Sequence, residues 1–334
     1  MHTIPLAGTN RQTTRLGFGC GSLMGATNRR DSLKLIDSAY EAGIRHFDVA
    51  PMYGYGEAEA CLGEFLQHHR GEITVTTKFG IAPPERSTLI KLGRSIAGPI
   101  VKQFPSLKQS LAHAANSAIR NPERPAFTAA EAKASLDRSH AALCTGHIHL
   151  WLLHEVTAAD LHDDSLLSFL ETEVKRGVIG AFGIGSSADK IPALLASHPA
   201  YCRTLQYEWS VLDVPIPDAP SAPFRIHHGT FTPNFRAFHT ALTRNQPLCQ
   251  RWSASTNTDL SNAESLRHLL LKAALLMNPN SIILFSSKKI AHIQANVLAA
   301  ADKSLELPAR QLYNLVQAER DQLLMTIQPP RPLP

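Results

Sequence analysis

Short apolar or β-branched runs recur along this chain, and most are followed by a stretch of helical periodicity. The runs are Arg15–Cys20, Ile44–Val49, Ile73–Lys78, Ile148–Leu153, Val178–Ile184, Arg203–Tyr207, Phe224–His228 and Ser281–Phe285. Helical patterns fall at Asp31–Ala42, Glu57–His68, Thr128–Leu143, Ala159–Lys175, Ala188–Ala196 and Ile290–Ala301. Thr128, with Glu131 three positions on, has the register of a capping box, and Gly43 and Gly177 sit where helices stop. Strands alternating with helices pair in parallel through right-handed crossovers. Eight of them in a chain of 334 residues predict an α/β fold, a closed (β/α)8 TIM barrel in a single domain, rather than two open sheets.

Three regions interrupt the repeat. They are the segment 79–127, the proline-rich stretch Val211–Phe224 and the tail 328–334. The first two follow strand ends and are expected as loops over the mouth, so the barrel is expected over residues 1–327 with a long loop insertion at 79–127 and a loose Pro-rich tail. The net charge of +5 belongs entirely to that insertion, where Arg86, Lys91, Arg94, Lys102, Lys108, Arg120 and Arg124 face only Glu85 and Glu123. A basic lid over a substrate mouth and a solvated surface excursion are both open readings of it. Without an aromatic ladder or a nucleic-acid motif, the charge gives no reason to expect a nucleic-acid partner. No apolar run approaches the roughly 18 residues of a membrane span, and Met1-His2-Thr3-Ile4-Pro5 lacks the blocks of a signal peptide. A soluble cytoplasmic protein with no membrane partner is therefore expected. Cys20, Cys61, Cys144, Cys202 and Cys249 are odd in number, far apart and without a C-x-x-C pair, which reads as reduced thiols.

Active sites of such barrels are built at the C-terminal ends of the strands. That rule selects Asp48 near the end of the second predicted strand, Tyr53 in the loop after it, Lys78 at the end of the third and His154 at the end of the fourth. Singly, each has an ordinary structural explanation; together they place a carboxylate, a phenol, an ammonium and an imidazole at one rim. An ammonium held by a carboxylate favours a phenolate, so Lys78 and Asp48 are expected to lower the Tyr53 pKa and make it a proton donor. A neutral His154 would hold a carbonyl oxygen by a hydrogen bond.

The run Asp48-Val49-Ala50-Pro51-Met52-Tyr53-Gly54, with Lys78 and Leu152-Leu153-His154, resembles the aldo-keto reductases. The resemblance extends from Leu16-Gly17-Phe18-Gly19 through Tyr53-Gly54-Tyr55-Gly56-Glu57-Ala58-Glu59 and Lys175–Gly183 to Ile290–Asn296. It implies a nicotinamide-dependent oxidoreductase that moves a hydride between NADP(H), or NAD(H), and a small-molecule carbonyl or alcohol such as an aldehyde, ketone or sugar. Tyr53 would be the general acid/base, Lys78 and Asp48 its tuners and His154 the carbonyl-orienting residue, with Tyr55 a decoy phenol. Cofactor positions implied are Gly21, Asp48, Ser186, Gln206, Ser286, Ser287, Lys288, His292 and Asn296. Gln206 would hold the nicotinamide carboxamide, and Ser186 stands where members often have Ser-Asn. His292 occupies the place of the usual arginine for the ribose 2′-phosphate, with Lys288 and Lys289 beside it, so the resemblance implies a preference for NADP(H), though not a strict one. Where many members stack a tyrosine on the nicotinamide, this chain has His227-His228, leaving a stacked histidine or a rearranged loop.

Competing readings remain. A Rossmann site on Gly17-x-Gly19-x-Gly21 has its third glycine one position early and no helix directly behind it. A metal-dependent barrel hydrolase is suggested by His147-x-His149, but those residues open a strand at the base, whereas a catalytic metal belongs at the top, so no metal ligand is assigned. A non-catalytic nucleotide-binding barrel serving as a regulatory subunit is the third. Substrate, direction and oligomeric state stay open.

Overall fold

The computed structural model describes residues 2–25, 27–83, 124–217, 223–231 and 235–327. Most of the expected insertion, including Arg86, Lys91 and Arg94, and the whole tail 328–334 lie outside the described residues. Two short strands, β1 (Thr3–Pro5) and β2 (Gln12–Thr14), pair antiparallel as a hairpin that the sequence pattern did not reveal. The barrel strands are β3 (Leu16–Gly19), β4 (His46–Asp48), β5 (Thr74–Phe79), β6 (Ile148–His154), β7 (Ile179–Gly185), β8 (Thr204–Glu208), β9 (Phe224–His228) and β10 (Ser281–Phe285). They close in sequence order, β10 pairing with both β9 and β3, and every barrel pairing is parallel. This is the eight-stranded barrel the alternation predicts.

Helices α1 (Arg29–Glu41), α2 (Ala58–His69), α3 (Ala129–Leu143), α4 (Asp164–Lys175) and α5 (Ile191–Ser197) follow the expected strands. Local chemistry sets their ends. Asn28 caps α1 by accepting from the Asp31 N–H at 2.8 Å, and Thr128 caps α3 by accepting from the Glu131 N–H at 3.4 Å. Helix α4 begins five residues later than the pattern Ala159–Lys175 predicts, because Asp163 takes the cap and accepts from the Ser165 N–H at 2.9 Å. Between β9 and β10 lie three helices not predicted, α6 (Phe235–Arg244), α7 (Gln246–Thr256) and α8 (Ala263–Met277). After β10 come α9 (Ile290–Ala301), as expected, and then α10 (Glu306–Ala318) and α11 (Arg320–Ile327).

Side chains alternate across each strand, so the barrel has an outer apolar layer against the helices and a separate interior. The outer layer holds Phe18, Phe47, Trp151 and Phe182 in one large core. The interior begins at the base with Leu6, Leu150, Ala181, Ile226, Ile282 and Leu284, where Leu6, just after β1, plugs the bottom. On the β4–β5 side the interior is polar: His46 Nδ1 lies 3.0 Å from Thr74 Oγ1 and Nε2 lies 3.2 Å from Thr76 Oγ1. Burial pushes the His46 pKa down to about 4, so the ring is neutral near pH 7. Among the described residues no helix is long and apolar enough to cross a membrane, and all five cysteines are free thiols.

Candidate active site

The top interior layer is reached by counting two residues up each strand. Asp48 on β4, Lys78 on β5, His154 on β6, Gln206 on β8 and His228 on β9 all occupy inward positions at the C-terminal ends. Lys78 is 2% exposed and its Nζ donates to Asp48 Oδ1 at 2.6 Å and to the Val49 carbonyl at 3.1 Å. Gln206 Nε2 donates to the other Asp48 oxygen, Oδ2, at 2.7 Å. Both carboxylate oxygens are thus satisfied, which is the condition under which a buried ion pair holds a geometry rather than disrupting it.

Tyr53 enters this layer from the turn after β4. The turn runs through two consecutive left-handed residues, Gly54 at φ +59° and Tyr55 at φ +58°. A Cβ at Gly54 would also meet the Leu23 carbonyl at 2.6 Å, so only glycine fits there. The result separates the two phenols: Tyr53 faces the interior, its ring beside Gly21, with Lys78 Nζ 5.2 Å from the ring centroid, whereas Tyr55 is exposed. His154 meets Tyr53 edge-on, ring centroids 6.3 Å apart and planes at 88°. Gly80, at φ +129°, lets β5 end against the His154 carbonyl, which a Cβ would meet at 2.5 Å.

The electrostatics differ from the sequence expectation at Tyr53. Burial raises its pKa and outweighs the lowering effect of Lys78, while Asp48 adds to the rise; the phenol is therefore held protonated rather than poised as phenolate. The expectation counted the ammonium and left out the lost hydration. Lys78 itself is raised, with Asp48 and Tyr53 overcoming the burial that works against its charge. His154 is pushed well below the usual histidine value, first by burial and then by Lys78, so it is a neutral imidazole near pH 7. A protonated phenol and a neutral imidazole converging above a buried ammonium can deliver one proton to an oxygen and hold that oxygen in place.

The expected cofactor positions divide. Ser186 is buried and its Oγ donates to the Val156 carbonyl at 2.9 Å. Ser287 Oγ lies within a turn, donating to the Lys289 carbonyl at 3.0 Å and accepting from the Lys289 N–H at 3.1 Å. Ser286, Lys288, Lys289 and His292 are exposed around the start of α9, whose N-terminus has no side-chain cap. Open N–H groups, a helix dipole and nearby cations suit an anion such as phosphate. Asn296 is half-buried one turn further along α9. Alternation settles the histidine pair: His227 points outward, fully buried against Tyr207 with ring centroids 4.7 Å apart, and its pKa is pushed down by burial to about 3. His228 faces the mouth, where lost hydration and then Lys78 hold it below its usual value against the pull of Asp48.

His147 and His149 lie at the base, as their strand position requires. His147 Nδ1 is 2.7 Å from the Gly177 carbonyl, and His149 Nδ1 accepts from the Val75 N–H at 3.2 Å. Among the described residues no group of three or more His, Cys, Asp or Glu side chains could hold a metal ion. The rim carries four further contacts the sequence did not signal. Arg124, at the end of the insertion, donates to the Glu155 carbonyl just past His154, and Lys190 pairs with the Glu155 carboxylate at 3.1 Å. Gln317 and Arg320, from the C-terminal helices, bind the Val211 and Leu212 carbonyls, both at 2.6 Å, and tie down the loop after β8.

The model of the Aldo/keto reductase family matches residues 15–220, more than half of the chain. The chain belongs to the aldo/keto reductase family. Curated members similar to it include pyridoxal 4-dehydrogenase of Microbacterium luteolum, 38% identical over 78 residues, 22% of this chain and 23% of that protein. D-threo-aldose 1-dehydrogenase of a Pseudomonas species is 31% identical over 183 residues, 51% of this chain and 49% of that one. The chain thus spans at most about half the length of these two relatives. Among solved aldo-keto reductases, the holo form from Bacillus halodurans shares the fold at a TM-score of 0.64 with 20% identity, covering 94% of this chain and 96% of that one. The Klebsiella pneumoniae structure in complex with NADPH gives 0.60 with 16% identity, covering 99% and 97%.

Proposed function

We propose that this aldo/keto reductase family member is an NADP(H)-dependent oxidoreductase acting on a small-molecule carbonyl or the corresponding alcohol, built as one barrel domain. The observation that carries the reading is the buried Lys78–Asp48 pair lying beneath a protonated Tyr53 with neutral His154 opposite. NADPH is supported by the uncapped α9 N-terminus ringed by Ser286, Lys288, Lys289 and His292, and by the family. Gly21, Ser186, Gln206, Ser287 and Asn296 complete the proposed binding path, and His228, which faces the mouth, takes the stacking position. When bound, the reduced nicotinamide supplies the hydride.

The chain supplies the proton. Tyr53 donates its phenolic proton to the carbonyl oxygen as negative charge develops there, and the same group takes it back in the oxidation direction. Lys78, fixed by Asp48, stabilises the phenolate left behind, so its charge matters after proton transfer more than before it. His154 orients the oxygen through its neutral N–H, and Gln206 keeps Asp48 aligned.

Tyr53→Phe should lower carbonyl reduction by about 10² to 10⁴ while NADPH binding, followed by fluorescence, stays within about twofold. Tyr55→Phe serves as the control and should leave both unchanged. Turnover near wild type in Tyr53→Phe would remove the phenol from the mechanism, and tight NADPH binding with no turnover of any carbonyl by the wild type would favour a non-catalytic nucleotide-binding barrel.

A further inference from the structure

Glu59 is a buried carboxylate with no place in the mechanism above. It lies in the first turn of α2, 6% exposed, and accepts a 2.6 Å hydrogen bond from Thr77 Oγ1. Thr77 is the residue before Lys78 and points outward from β5, fully buried, while Lys78 points inward. Helix α2 begins directly after the Tyr53–Gly56 turn. The Thr77–Glu59 bond therefore joins the strand that carries Lys78 to the helix on which the Tyr53 turn is anchored. No other side-chain hydrogen bond among the described residues joins β5 to α2. Burying a carboxylate is costly, and it raises the Glu59 pKa, with Thr77, then Ser139 on α3, then Lys78 pulling the other way. An apolar residue would pack the same interface at less cost, so the carboxylate is accounted for by the bond it makes.

We infer that Glu59 is a positioning residue: through Thr77 it sets the separation of Tyr53 from Lys78. The inference rests on the proposed roles of Tyr53 and Lys78. Displacing a catalytic group by about 1 Å can cost up to about 10² in rate, which makes a single clamp across the two elements worth its burial. The clamp acts on kcat and on the ionisation of Tyr53, and leaves substrate and cofactor contacts alone.

Three variants test it. Glu59→Gln keeps an acceptor for Thr77, Glu59→Met removes it at similar volume, and Thr77→Val removes only the donor. In Glu59→Met and Thr77→Val, kcat should fall about tenfold with KM and the NADPH Kd within about twofold, whereas Glu59→Gln should recover most of the rate. An ultraviolet difference titration, each variant against its own Tyr53→Phe partner, reads the phenol without turnover. In Thr77→Val the Tyr53 pKa should rise, because an ammonium held less closely favours the phenolate less. Should Glu59→Met fold poorly, Thr77→Val alone decides. A folded Thr77→Val protein with wild-type kcat and an unmoved Tyr53 titration overturns the inference while the Tyr53→Phe result stands. If the wild type turns over no carbonyl, the reading of the site fails and the titration still judges the clamp.

Discussion

Two regions of the rim solve the problem of presenting charge in opposite ways. At the β4–β6 corner, Asp48 and Lys78 are almost wholly removed from solvent and each oxygen of the carboxylate has a donor. Around the start of α9, Ser286, Lys288, Lys289 and His292 stand exposed about an open helix N-terminus. A group that must stabilise charge at one atom during a reaction gains from low dielectric and fixed geometry. A group that collects a charged ligand from solution works at longer range and must be reachable. The corner is preassembled and intolerant, and the edge is adjustable.

The most direct test of this contrast is to remove one cation from each region. Lys78→Met should cost about 3–5 kcal/mol of unfolding free energy, since it strands the Asp48 charge in the interior. Lys288→Met should stay within about 0.5 kcal/mol. Denaturant melts measure both, and comparable losses would erase the distinction.

Acid supplies the next test, because buried neutral histidines lie beneath the corner and behind the edge. His46 is held at about 4, and His149 and His227 at about 3. Their unfolded value is about 6.5, so the unfolded chain binds protons that the folded chain refuses. The stability they confer is complete above about pH 6.5 and is lost as pH falls toward 4 and 3, at roughly 1.4 kcal/mol per pH unit for each ring. A Tm series should show a steep fall below about pH 6.5, and a flat profile would mean that the rings accept protons where they sit.

Salt gives the smallest effect and also separates the regions. Raising ionic strength from about 0.05 to about 0.5 M should weaken NADPH binding about threefold and leave NADH nearly unchanged, since exposed charges are screened. The stability gap between wild type and Lys78→Met should not move over the same range. Equal salt profiles for the two cofactors would place the 2′-phosphate away from Lys288, Lys289 and His292.

Much of this was legible in the residues. Short, near-continuous apolar runs and helix stops such as Gly43 and Gly177 pointed to the barrel, because a parallel strand must bury both faces and return through a helix. The ends of the same runs, with the rule that barrel sites lie at C-terminal strand ends, single out Asp48, Lys78 and His154 as candidates. The β1–β2 hairpin is not legible because three-residue strands are too short for a pattern, and α6–α8 follow one another with no strand between them, so the strand–helix alternation does not mark them. The choice of His228 over His227 needed the strand's boundaries, since a shift of one residue exchanges inside for outside. Only the tertiary structure decided the sign of the Tyr53 shift and the link from Glu59 to Thr77. Both depend on what surrounds a group in space: hydration is lost to neighbours far off in the chain, and a hydrogen bond across 18 positions carries no periodicity to read.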